Sequence, residues 1–166
     1  MWFFKSFLIA LAVVATACGF KPLHSSMGGA VPAVLSSVDI APIPSRLGQV
    51  VRNHLLDRLT PLGEPAVAKY RFVVSLRVDK EPLAIARDDS VTRFNVSLQA
   101  NYHLVHVTSG KSVLHGEARS TASYNLVSSD YANLVAERDA KLRAAREVSD
   151  EMKTHLSVYL AENAKV

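Results

Sequence analysis

An α+β two-layer sandwich with the element order β-α-β-β-β-α is the fold this sequence predicts. Period-two alternation of apolar and polar residues dominates residues 70–124, and apolar residues recur at helical spacing on either side of that region. A half-polar sheet needs cover on its apolar face only, and amphipathic helices supply it. The expected architecture is a mainly antiparallel four-stranded sheet with two helices packed on one face.

Each element follows from local pattern. Residues 37–43 alternate apolar with small or polar residues, and Pro42 marks a strand end or an edge. Pro44-Ser45 opens a helix in which Leu47, Val50, Val51, Leu55 and Leu59 form the apolar stripe, with Ser45 as its cap. Thr60-Pro61-Leu62-Gly63 stops it. From Tyr70 to Val78 the even positions are apolar, Phe72, Val74 and Leu76 among them, while Arg71, Ser75, Arg77 and Asp79 are polar odd ones. The second strand, Val91 to Thr108, puts Phe94, Val96, Leu98, Ala100, Tyr102 and Leu104 on one face and Arg93, Asn95, Ser97, Gln99, Asn101 and His103 on the other. Ser109-Gly110 turns the chain into a third strand, Lys111 to Tyr124, with Leu114, Ala118 and Ala122 inward. After Ser128-Ser129-Asp130 a long helix runs to about Leu160, with a stripe from Tyr131, Leu134 and Val135 through Leu142, Ala145, Val148, Met152 and Leu156 to Tyr159. Asp139 and Arg143 stand as a favourable i,i+4 pair.

The N-terminus is of another kind. Lys5 gives a basic start, Ser6 to Ala17 is an uncharged apolar core, and small residues lead to Cys18, the single cysteine. These are the marks of a secretory signal, and the run is shorter than the roughly 20 residues of a spanning helix. Ala15-Thr16-Ala17-Cys18-Gly19 resembles a bacterial lipobox, with Ala15 in place of the usual Leu. That resemblance implies cleavage before Cys18 and its diacylation. The expected organisation is a signal peptide at 1–17, an acylated N-terminus and tether at 18–36 containing Gly28-Gly29 and prolines, and one domain at 37–166.

Removing the first 17 of 166 residues leaves 149, enough for one self-sufficient core, and losing Lys5 lowers the net charge from +4 to +3. With its thiol acylated, the domain has no disulfide to rely on. Catalytic chemistry is missing. Gly110-Lys111-Ser112 falls in a hairpin rather than a strand-to-helix phosphate loop. His103 and His106 lie on opposite faces of one strand, and Asp88-Asp89 has no histidine or nucleophile in its loop. The chain reads as a binding and assembly module that is not an enzyme and needs no metal or cofactor.

Several segments resemble the LptE family of lipopolysaccharide-assembly lipoproteins. Cys18-Gly19-Phe20-Lys21-Pro22-Leu23 is similar to that family's opening, with His24 where an aromatic is commoner. Ile40-Ala41-Pro42-Ile43 leading into Val51-Arg52-Asn53-His54-Leu55 resembles its first strand and helix. Ser123-Tyr124-Asn125 with Tyr131-Ala132, and Glu137-Arg138-Asp139-Ala140 running into Arg143-Ala144-Ala145-Arg146-Glu147-Val148, resemble later parts. The resemblance implies an outer-membrane lipoprotein that sits in the lumen of the LptD β-barrel, as plug and assembly partner, and helps deliver lipopolysaccharide to the cell surface. An accessory lipoprotein of a periplasmic phospholipid-transport complex is the alternative, sharing anchor, size and α/β make-up. Given lipopolysaccharide as ligand, Arg77, Lys80, Arg87 and Arg93, around the break at Pro82, are the expected contacts for its phosphates.

Overall fold

The computed structural model describes residues 35–60, 63, 67–85 and 91–163. Cys18 and the tether up to residue 34, Arg87 and the Asp88-Asp89 pair lie outside them. The order is β1 (Val38–Ile40), α1 (Arg46–Leu59), β2 (Tyr70–Ile85), β3 (Val91–His106), β4 (Ser112–Asn125) and α2 (Asp130–Asn163). The expected β-α-β-β-β-α sandwich forms. Its strands lie in the order β1-β2-β3-β4, with β1 parallel to β2 and the other pairs antiparallel.

Alternation decides the faces. Phe72, Val74, Val96, Leu98, Ala100, Leu104, Ala118 and Ala122 are buried beneath the helices, while Arg71, Ser75, Asn101, His103, Glu117 and Thr121 stand exposed on the other side. Val51, Leu55 and Leu59 of α1 join Ala140, Ala144, Val148, Met152 and Leu156 of α2 in the same core. One strand and one helix, β2 and α2, run further than their patterns suggest. β2 continues through Pro82 to Ile85, with register shifts between Pro82 and Ile85 against β3. A proline that lacks an N–H is tolerated there because, among the described residues, β2 has no strand on its far side at that point. The start of α2 is apolar yet uncovered: Tyr131 is 79% and Leu134 68% exposed, and Val135 is exposed too.

The connection from β1 to α1 doubles back tightly. Ser45 takes φ 79°, and its Oγ accepts a hydrogen bond from Gly48 N–H at 3.1 Å. That fold-back brings Ile43 onto the first turn of the helix. A Cβ at Gly48 would lie 2.7 Å from Ile43 O. Glycine to alanine inside a helix ordinarily gains about 1 kcal/mol. Here we expect the opposite sign: Gly48→Ala should cost about 1–3 kcal/mol through overpacking, read as a lower urea midpoint.

The two sheet edges differ. Along β4 the odd residues turn their backbone groups outward, and α2 caps two of them. Glu151 accepts from Arg119 N–H at 3.1 Å, and Arg143 Nη2 donates to Ser123 O at 3.0 Å. Charged side chains that occupy edge groups discourage further strand pairing.

Candidate functional site

The long β2–β3 hairpin is the feature on which the expected phosphate contacts depend. It forms, and its geometry separates them. Arg77 and Arg93 are odd residues and stand on the open face; Lys80 is even and lies beneath α2. Arg77 pairs with Gln99 and Arg93 with Ala84, so the two arginines are roughly 20 Å apart along the sheet. Arg77 binds Asp79 at 3.0 Å, and Arg93 Nε donates to Asn125 Oδ1 at 2.8 Å. The hairpin therefore does not crowd these side chains at one end of the sheet, and Arg87 lies outside the described residues.

The open face is a hydrogen-bonding lattice. Arg119 Nε donates to Ser97 Oγ at 3.1 Å, and Ser123 Oγ donates to Asn95 Oδ1 at 2.6 Å. Arg71 binds Asp39 at 2.9 Å where β1 joins β2. Three strands thus present an uncovered polar surface that carries arginines from one end to the other.

Beneath α2 lies a different arrangement. Lys80 Nζ and Lys141 Nζ each approach Glu137 at 2.6 Å, from opposite carboxylate oxygens, and Tyr124 Oη donates to the same side chain at 3.1 Å. Lys80 Nζ stands 4.4 Å from the centre of the Phe94 ring, which stacks on Tyr124. A cavity of about 490 Å³ opens beside this cluster, between Tyr124, Leu126, Asn133 and Arg138. The Lys141 and Lys80 hydrogen bonds hold the Glu137 carboxyl down at about 2. The carboxylate in turn raises Lys80 above its ordinary value.

Because the folded value of Glu137 lies below its ordinary 4.5, its contribution is present above that pH and lost as pH falls towards about 2. Lys80 has the opposite sign, and its contribution is lost only above its ordinary 10.5. Near neutrality, Glu137→Gln should cost about 1–2 kcal/mol, since the partly exposed ion pairs are screened. The difference from the parent chain should shrink as pH drops from 4.5 to 2, followed by urea unfolding.

Sequence reasoning missed this cluster, because Lys80 and Glu137 are 57 residues apart and neither belongs to a motif. Tyr102 is buried under α2, on the face its alternation predicts, but the approach of its hydroxyl to His155 Nδ1 at 2.6 Å was not legible in the sequence. Burial raises the Tyr102 hydroxyl, with Glu151 adding to the effect. Among the described residues no group of three or more His, Cys, Asp or Glu could hold a metal, and no helix is long and apolar enough to cross a membrane.

Residues 35–156, which span the sheet and most of α2, match the profile of the LptE family, described as lipopolysaccharide-assembly. The chain belongs to the LptE family. It is a non-enzymatic lipoprotein of lipopolysaccharide assembly. No curated protein sequence matches it. A structure described as a lipoprotein from Caulobacter crescentus CB15 is 25% identical with TM-score 0.64, covering 80% of this chain and 96% of that one. A minor lipoprotein from Acinetobacter baumannii is 12% identical with TM-score 0.55, covering 73% and 91%. Lipoprotein B from Nitrosomonas europaea is also 12% identical, with TM-score 0.57, covering 75% and 83%. The last two are similar in fold alone.

Proposed function

We propose that this LptE-family chain works at the outer membrane with a β-barrel of the LptD type, as plug and assembly partner in lipopolysaccharide transport to the cell surface. The family match over residues 35–156 carries this reading. The uncovered polar sheet face supports it physically. A barrel lumen is polar and wet, and a surface of Arg, Asn, Ser, Thr and Gln can exchange its water for lumen side chains without stranding buried polar groups. The acylated Cys18 would hold the chain at the membrane while the tether lets the domain reach the lumen.

Pull-down of the acylated protein from detergent-solubilised outer membrane tests the partnership. We expect an outer-membrane β-barrel as the main partner. Recovery of an inner-membrane transporter in its place would transfer the reading to phospholipid transport.

Arg77, Arg87 and Arg93 are proposed as contacts for the lipopolysaccharide phosphates, with Arg77 and Arg93 spread along the hairpin rather than gathered in one pocket. Lys80 belongs to the same proposal, but its bond to Glu137 means it has to be tested apart from the others. Replacing the three arginines with Ala should lower lipopolysaccharide binding by the purified chain at low salt and flatten its salt dependence. Unchanged binding at low salt in the triple variant would remove the site and leave the scaffold role standing.

A further inference from the structure

Among the described residues one edge of the sheet is left open, and it borders an apolar groove. The odd residues of β2 exchange backbone bonds with β3, and the even ones face β1, as Phe72 does in accepting from Ala41 N–H at 3.0 Å. β1 ends at Ile40, opposite Phe72. Beyond it the backbone groups of Val74, Leu76, Val78 and Lys80 point out of the sheet, with no strand beside them among the described residues. This row is roughly 20 Å long and closes at Pro82, which has no N–H. Among the described residues nothing caps it in the way that Arg143 and Glu151 cap β4.

Alongside runs a groove of about 570 Å³, lined by Val78 of β2, Leu47 and Val50 of α1, and Leu134 and Leu142 of α2. Arg46, Arg138 and Lys141 rim it. Lys141 is engaged by Glu137; Arg46 and Arg138 are exposed and have no ionic partner among the described residues. An extended segment in line with β1 would bond to the open row and point every second side chain towards the groove.

We propose that the edge and the groove form one docking site for an extended acidic segment of a partner protein, added to the sheet as a further strand. Main-chain bonds to Val74–Lys80 would supply the affinity, and apolar side chains in the groove with carboxylates at Arg46 and Arg138 the selectivity. The chain's own residues 19–34 contain no Asp or Glu and do not match the cationic rim. A second copy pairing edge to edge would bring two such rims together. The site is separate from the open sheet face, so it can fail or hold apart from the barrel partnership.

Amide hydrogen exchange on the full chain in detergent micelles tests this, with a capped peptide of about seven alternating Glu and Val residues as probe. We expect the peptide to slow exchange at Val74, Leu76, Val78 and Lys80 by roughly tenfold or more, and the Arg46→Glu, Arg138→Glu double variant to bind it about tenfold more weakly. Both arginines are exposed, so the variant should keep its fold. Absence of slowing, or equal slowing by an alternating Lys and Val peptide, would overturn the proposal. So would slow exchange without peptide: release on deleting 19–34 would assign the edge to the tether, and release on dilution to a second copy.

Discussion

Phe72→Ala is expected to cost about 3–5 kcal/mol, a large share of the roughly 5–15 kcal/mol that holds a domain of this kind together. Phe72 is fully buried in β2, between Ile40 of β1 and Leu104 of β3, with its ring 5.4 Å from that of Tyr102. Truncation there leaves a void whose walls belong to two neighbouring strands in fixed register, so little can move in to fill it. Arg71, the preceding residue, faces solvent and binds Asp39 at 2.9 Å. Removing that exposed pair should cost within about 1 kcal/mol. Leu76 and Phe94 are half-buried, and their truncation should fall between the two. Urea unfolding of the Phe72→Ala and Arg71→Ala variants decides the matter. A larger loss for Arg71→Ala would mean that the strand faces are inverted.

The faces were legible because period-two alternation is a direct consequence of strand geometry, and β2, β3 and β4 obey it over most of their length. Helical spacing located α1 and the second half of α2 for the same reason. Asp139 and Arg143 meet at 2.9 Å as their spacing implied, because an i,i+4 pair depends on the helix alone. Two things were less visible. Pro82 reads as a break, but whether a strand survives a proline depends on what lies beside it, and that is a fact of topology. Tyr131, Leu134 and Val135 match the apolar stripe yet stay uncovered, since periodicity identifies a face and not the partner that covers it. The separation of Lys80 from Arg77 and Arg93 was available in the parity of their numbers. Nearness to Pro82 in sequence does not decide the face on which a side chain stands. The capture of Lys80 by Glu137 was not available, because a contact across 57 residues depends on how α2 crosses the hairpin.

Cys18→Ala should convert the chain from membrane-held to soluble or unprocessed. No helix of the described residues can cross a membrane, and the hairpin's outward face is polar, so neither supplies an apolar anchor. The single cysteine follows a short apolar run and small residues, where acylation and cleavage would place lipid on the new N-terminus. Each buried methylene contributes about 0.8 kcal/mol, and one acyl chain gives only reversible binding, whereas two or more hold stably. Loss of the sulfur removes every such chain at once, and the remaining net charge of about +3 would give weak, salt-sensitive adsorption at most. Fractionation in cells depleted of the proposed barrel partner, with a high-salt wash, isolates the anchor from protein contacts. The parent chain should stay with the outer membrane, and Cys18→Ala should be absent from it, either released or kept as an uncleaved precursor by the apolar run at 6–17. A washed variant that still fractionates with the outer membrane would mean that something other than Cys18 holds the protein there.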